Sequence, residues 1–134
     1  MAASEAEADP GIVTKISPWP VAETVTRLTD LLGKNGVKVF AVIDQSAEAR
    51  RAGLSLRDTT LVIFGNPSAG TPVMAEAPLA ALDLPLKLLI WDDDGRTKAS
   101  YWAPAVLAAR YRLNPALAKN LAAIDPLTDA LVAG

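Results

Sequence analysis

The first apolar positions of the chain follow two different periods. Residues 11–17 alternate in polarity and carry several β-branched side chains, which indicates a strand. From Val21 onward, apolar side chains recur every three or four positions, which places them on one face of a helix. We expect this helix to cover residues 18–35, to be capped by Ser17 and to end at Gly36. The members of its apolar stripe are Val21, Val25, Leu28, Leu31 and Leu32.

The middle of the chain predicts four further strands joined by short connections. Residues 37–44 are apolar on both faces and precede a short polar helix that closes at Gly53. Asp94–Gly95 is a strong hairpin signal, because both central residues of a type I′ turn need a positive φ. The predicted strands are 37–44, 56–64, 84–93 and 96–102.

Six of the ten prolines follow a polar side chain that can cap a helix. A capping oxygen satisfies free N–H groups, and proline at the first helical position lacks an N–H that would have no partner. We therefore expect most of these pairs to begin helices, except Asp9–Pro10, which is followed by Gly11 and a β-branched run. The pairs are Asp9–Pro10, Ser17–Pro18, Asn66–Pro67, Thr71–Pro72, Asn114–Pro115 and Asp125–Pro126.

The order of these elements is β-α-β-β-β-β-α, with short helices inserted between strands. It predicts an α+β fold with a curved antiparallel sheet of about five strands and the main helices on one face. Residues 1–10 are acidic and small, so we expect a disordered tail followed by one domain over residues 11–134.

Composition excludes several chemistries. The 134 residues include no cysteine and no histidine, which rules out disulfides, thiol nucleophiles, a Ser–His–Asp triad and the usual zinc sites. The net charge is -2 and the basic residues are scattered, which disfavours nucleic acid. No run approaches the roughly 18 apolar residues of a membrane span. We expect a soluble cytoplasmic protein without a metal or cofactor.

Several segments resemble, in the same order, the bacterial domain-of-unknown-function family 302. They are GIVTKIS, VKVFAVID, EARRAGLSLRDTTLVIFGNP, GTPVM and LDLPLKLLIWDDDG, and the resemblance covers about residues 11–133. It implies a fold like that of the TATA-box-binding protein, without DNA binding. Family members often carry Asp-His where strand two ends, whereas this chain has Asp44–Gln45. The family offers no established activity.

The segment Gly65–Thr71 is the first candidate site. It leaves a strand and enters a helix after Asn66–Pro67, so its free N–H groups point to a phosphate or carboxylate ligand. It lacks the Gly-Lys-Ser/Thr end of a P-loop. The alternative, which we favour, is a structural turn capped by Asn66. Its candidate binding residues are Asn66, Gly70 and Thr71.

Polar side chains at the ends of strands two and three form a second candidate, made of Asp44, Gln45, Arg57 and Asp58. Two carboxylates can share a proton or help to hold a hard cation. The favoured alternative is that Asp44 caps the 46–51 helix and Asp58 pairs with an arginine. Asp92–Asp93–Asp94–Gly95 resembles a metal loop, but the spacing favours a hairpin turn.

Strands two and four carry apolar side chains on both faces, whereas a half-solvated sheet normally alternates. Helices on one side cover only one face, so the other face must meet a second subunit, a ligand or the inserted helices. We expect a twofold homodimer. The predicted interface is Phe40, Val42, Leu89, Trp91 and Trp102.

Two functions follow from these patterns. The favoured one is a binding or interaction module, with an apolar sheet face or pocket for dimerisation or a small apolar ligand. The alternative is an enzyme with an oxygen-only acid/base site for a small anionic substrate, in which Asp44 or Asp58 is the base and Tyr101 or Arg57 the electrostatic partner.

Overall fold

The computed structural model describes residues 9–134, so the expected tail lies outside the described residues except for its last two positions. The side chain of Asp9 accepts the N–H of Gly11 at 2.8 Å, and its carbonyl accepts the N–H of Ile12 at 3.0 Å. Asp9 and Pro10 therefore form a turn into the first strand and do not belong to a disordered tail.

The described chain contains five strands and six α-helices. The strands are β1 (Ile12–Ser17), β2 (Lys38–Asp44), β3 (Thr59–Gly65), β4 (Leu86–Asp93) and β5 (Arg96–Trp102). The helices are α1 (Val21–Lys34), α2 (Gln45–Arg51), α3 (Pro67–Glu76), α4 (Pro104–Arg110), α5 (Pro115–Leu121) and α6 (Ile124–Val132), with a 3₁₀ turn at Pro78–Leu82.

The strands form one antiparallel sheet in the order β1-β5-β4-β3-β2. This confirms the predicted α+β class and the number of strands. Because β1 and β2 lie at opposite edges, α1 must cross the sheet to connect them, and it packs on β2, β3 and β4. At the hairpin between β4 and β5, Asp94 and Gly95 have φ of 55° and 92°, as the type I′ prediction requires.

The core lies between α1, α6 and one face of the sheet. Leu28 and Leu32 are fully buried against strand residues that include Val62, Leu88 and Ile90. The predicted stripe of α1 is therefore confirmed. The pattern missed Thr24, which is also fully buried because its hydroxyl forms a hydrogen bond of 2.7 Å with Ser17 Oγ.

The same bond explains why the predicted start of α1 was wrong. The helix begins at Val21 and has no side-chain cap, because Ser17 Oγ is engaged with Thr24 and with the N–H of Trp19. At the other end, Gly36 takes a φ of 67° and Val37 N–H bonds back to Leu32, which confirms Gly36 as the stop.

The expectation that most pairs of a polar residue and proline begin helices was also too broad. Asn66–Pro67 and Asn114–Pro115 begin helices with the predicted side-chain caps. Thr71–Pro72 lies inside α3, and α6 begins at Ile124, before Asp125–Pro126. In these two cases the preceding residues already supply helical backbone, so proline has no boundary to mark.

The predicted interface combined residues of different faces. A β-bulge between Val39 and Ala41 inserts Phe40, which reverses the alternation along the rest of β2. As a result Val42 pairs with the buried Val62, on the helix-covered side, and both Phe40 and Val42 are about half exposed at the sheet edge. The face opposite the helices of residues 9–134, called here the open face, instead carries Ala41, Ile43, Leu61, Ile63, Leu89, Trp91 and Trp102.

Candidate functional site

The end of β3 forms a concavity at the predicted segment Gly65–Thr71. Asn66 follows the strand, and its side chain accepts the N–H of Ser68 at 2.9 Å, so that α3 begins at Pro67. The predicted capping role of Asn66 is confirmed. Asn66 also borders two adjacent cavities, which we call together the asparagine cleft.

The larger cavity of the cleft has a volume of about 470 Å³. Its floor is formed by Phe64 and Leu86 of the sheet, and its walls come from the end of α1 and from α6, with Leu31 and Leu127. It lies within the 300–1,000 Å³ that small-molecule sites occupy.

The smaller cavity has a volume of about 210 Å³ and shares Ala69 with the larger one. Gly70 and Thr71 line it, together with Phe40 and Met74. A Cβ added at Gly70 would meet Met74 Cε at 3.8 Å, an ordinary van der Waals contact, so neither crowding nor backbone conformation requires glycine there.

A hydrogen bond of 3.1 Å runs from Asn120 Nδ2 to the carbonyl of Ala69, and both residues line both cavities. Asn66 and Asn120 border both cavities, and Asn35 borders the larger one. The cleft therefore combines apolar walls with three amide side chains, each able to donate and to accept.

The lining of the cleft, drawn from residues 9–134, contains no charged side chain. Charged residues make up 21% of the chain, so their absence from both cavities distinguishes this surface from the rest. The expected anion site at Gly65–Thr71 thus lacks a cationic side chain among the described residues, and the lining favours a neutral occupant.

Comparison with protein families identifies the chain. A family model described as "Domain of unknown function DUF302" matches residues 13–131, nearly the whole of the described part. The chain belongs to this family. Its fold agrees with a crystal structure of an uncharacterized conserved DUF302 protein from Bacillus stearothermophilus, with a TM-score of 0.78. That likeness covers 92% of this chain and 97% of the other at 24% identity, and so concerns the fold alone.

Two curated relatives of this DUF302 chain are named fluoride-specific ion channel FluC 1. Those of Brucella suis and Brucella abortus are each 42% identical over 106 residues, which is 78% of this chain. The match spans only 42% and 39% of their respective lengths. Within residues 9–134, no helix is long and apolar enough to cross a bilayer.

The remaining predicted site residues of the DUF302 chain lie apart from the cleft. The Asp44 carboxylate accepts the Ser46 hydroxyl at 2.6 Å and the N–H of Ala47 at 2.9 Å, and these bonds lower its pKa. Asp44 therefore caps α2, as the favoured alternative predicted, and Gln45 is exposed in its first turn. The prediction that Asp58 pairs with an arginine was wrong for the described residues, where Arg57 meets Asp93 at 3.6 Å.

Tyr101 lies on the helix-covered side of β5, in a polar cluster that sequence reasoning missed. Its hydroxyl bonds to Asp125 at 2.5 Å and receives a bond of 3.3 Å from Thr128. Lys15 Nζ contacts Thr128 Oγ1 at 2.6 Å and Asp129 at 2.8 Å. Burial and the bond to Asp125 raise the pKa of Tyr101, which disfavours a phenolate.

The pKa of Lys15 is also raised. Burial alone lowers it, but the hydrogen bonds to Asp129 and Tyr101 outweigh that effect. Both groups thus keep their protons near neutral pH, and the cluster fastens α6 to β1 and β5. The pairing of Lys15 with α6 had no local signal, because Lys15 and Thr128 are far apart in the sequence.

Proposed function

We propose that this DUF302 chain is a binding protein for a small, neutral and mostly apolar molecule, held in the asparagine cleft. The observation that carries the proposal is the uncharged lining of two adjacent cavities, about 470 Å³ and 210 Å³, on either side of Asn120. Apolar walls with a few convergent polar groups are typical of small-molecule sites.

The charge of the occupant follows from the cost of desolvation. An ion that enters an apolar cavity loses its hydration, and this cost is offset only where a counter-charge is present. The described lining supplies amides in its place. An alcohol or amide group on the ligand can exchange hydrogen bonds with Asn35, Asn66 or Asn120, whereas a carboxylate gains no ion pair.

The geometry gives less support to the alternative enzyme. Asn66 and Tyr101 line different cavities, and the Asp44 carboxylate is engaged in capping α2. Asn66 and Tyr101 therefore do not share a cavity, and the Asp44 carboxylate is committed to a helix cap, whereas general acid–base catalysis needs base and partner within hydrogen-bond reach of one substrate.

We also propose that the open face is a homodimer interface. Leu61, Ile63, Leu89 and Trp91 are half-buried there although no helix of the described part of the chain covers them. Five strands of this length present on the order of 500 Å². A stable interface needs about 800 Å² per partner. The exposed Trp102 and the strand edges must supply the remaining buried area. An interface of this size favours a dimer of micromolar affinity.

The cleft proposal is tested with 1-octanol and octanoate, which share an alkyl chain and differ in the charge of the head group. Isothermal titration should show tighter binding of octanol. Asn120→Asp, which places a carboxylate between the cavities, should weaken octanol binding roughly tenfold, about 1.4 kcal/mol. The matched control is Asn114→Asp, which adds the same charge and retains a good cap for α5.

Equal binding of octanol and octanoate, or equal effects of the two variants, would contradict the proposal. Because the curated relatives carry the name of a fluoride channel, sodium fluoride and sodium chloride are compared in parallel. If fluoride alone stabilises the protein and octanol has no effect, the apolar ligand is contradicted and an ion is favoured instead.

A further inference from the structure

The sheet opens between β4 and β5 at the end away from their hairpin. Their pairing runs from Asp93 opposite Arg96 to Leu89 opposite Ser100 and stops there. Each strand continues beyond that point against its other neighbour, since Leu86 pairs with β3 and Trp102 pairs with β1. The two strands therefore part while both remain in the sheet.

A cavity of about 210 Å³ lies at this parting, and we call it the sheet gap. Its lining comes from both faces of the sheet. Leu61 and Leu89 belong to the open face, whereas Tyr101 belongs to the helix-covered face. Leu107 of α4 and Ile124 of α6 close the helix side with buried apolar side chains. The gap thus passes into the sheet from the open face and ends on the helices.

The sheet gap differs from the asparagine cleft because charged side chains line it. Leu86 and Ile124 line both this gap and the larger cavity of the cleft, so they form the wall between them. Unlike the cleft, the gap has Asp83 and Lys87 in its lining. It therefore offers ionic contacts that the cleft does not.

The negative charge of Asp83 is already compensated by hydrogen-bonding partners. The Asp83 carboxylate accepts hydrogen bonds from the Tyr111 hydroxyl and, at 3.1 Å, from Arg110. The bond from Tyr111, together with Arg110, lowers the pKa of Asp83. Lys87 is exposed and makes no hydrogen bond or ion pair within residues 9–134, although its charge also helps to lower the pKa of Asp83. Among the described residues, the charge beside the gap that has no directly bonded partner is therefore positive.

We propose that the sheet gap binds a small carboxylate with an aromatic ring, with the ring between β4 and β5 and the carboxylate paired with Lys87. A protein cavity of about 150 Å³ accommodates benzene, so a single ring fits the volume of the gap. The apolar contacts come from Leu61, Leu89 and Leu107, and the ammonium of Lys87 supplies the counter-charge. This inference does not rest on the function proposed for the asparagine cleft.

The test uses phenylacetate and the neutral 2-phenylethanol, with amide chemical shifts of the wild-type protein measured at low-micromolar concentration. At that concentration the proposed dimer, which would cover the mouth of the gap on the open face, dissociates. Phenylacetate should shift the amides of residues 86–89 and 100–102. It should leave those of residues 65–70, in the asparagine cleft, unchanged. Shifts confined to the cleft, or no saturable shifts, would overturn the proposal without bearing on octanol binding.

The role of Lys87 is tested by Lys87→Met against Lys34→Met, which removes an exposed charge from the end of α1. Lys87→Met should weaken phenylacetate binding roughly two- to fivefold, as expected for an exposed ion pair, and leave 2-phenylethanol binding unchanged. Equal weakening of both ligands, or an equal effect of Lys34→Met, would exclude the ion pair.

Discussion

Asn120 Nδ2 donates a hydrogen bond of 3.1 Å to the carbonyl of Ala69, which joins α5 to α3 across 51 positions of sequence. Because both residues line both cavities of the asparagine cleft, we infer that they form the partition between them. A side-chain amide in this place contributes both to the stability of the fold and to the length of ligand that each cavity accepts.

Replacing Asn120 with alanine should remove the partition. The free energy of unfolding should fall by about 0.5–1.5 kcal/mol, the usual net value of one hydrogen bond. The affinity for 1-decanol should rise relative to that for 1-hexanol, because the joined cavities accept a longer chain. Asn35→Ala is the control, since Asn35 borders only the larger cavity and bonds within its own helix turn, to the Leu31 carbonyl. An unchanged chain-length preference in Asn120→Ala would contradict the partition.

Leu28→Ala should destabilise the protein by about 2–5 kcal/mol, because Leu28 is fully buried between α1 and the sheet and its loss leaves a cavity. Leu79→Ala serves as the control, since Leu79 is 71% exposed on the 3₁₀ turn. Urea unfolding measures both variants. Similar losses in the two would show that Leu28 does not lie in the core.

Asp44→Ala should cost about 0.5–2 kcal/mol at pH 7, the value of a helix cap. The folded pKa of Asp44 lies below its ordinary value of 3.8, because Ser46 and Ala47 bond to the charged form. Its stabilisation is thus complete above the unfolded pKa and disappears as the pH falls through the folded pKa. The difference from wild type in urea unfolding should therefore shrink as the pH falls below the ordinary value of 3.8. Asp30→Ala, at an exposed position of α1, should show no comparable loss at pH 7.

Trp91→Glu tests the proposed homodimer. Trp91 is half-buried on the open face, where its indole N–H donates to Ser100 Oγ at 3.0 Å. Sedimentation at tens of micromolar should show a wild-type dimer and a folded monomeric variant. Ile63→Lys on the same face should behave alike, and Leu79→Glu on the 3₁₀ turn should remain dimeric. A wild-type monomer at this concentration would refute the interface.

The local predictions that held share one property, which is that their cause lies within a few residues. The cap at Asn66, the stop at Gly36 and the Asp94–Gly95 turn each depend on one side chain or one φ angle. The start of α1 was mispredicted because Ser17 has a competing partner, Thr24, which only the packed helix presents.

The faces of the sheet could not be read from alternation alone. One inserted residue, Phe40, reverses the alternation of β2, so Ala41 and Ile43 join the open face while Val42 leaves it. Sequence alternation assumes an unbroken period of two, and a bulge changes that period only when the neighbouring strand fixes the register.

The α+β class, the five strands, the apolar stripe of α1 and the exclusion of thiol and imidazole chemistry could all be predicted from the amino-acid sequence. These follow from residue types and from periods within single elements. The tertiary structure alone decided that Asn120 meets Ala69, that Lys15 meets Thr128, and that β4 and β5 part beyond Leu89. Such contacts join residues that are distant in the chain, and their geometry is set by how helices and strands pack together, which no local pattern encodes.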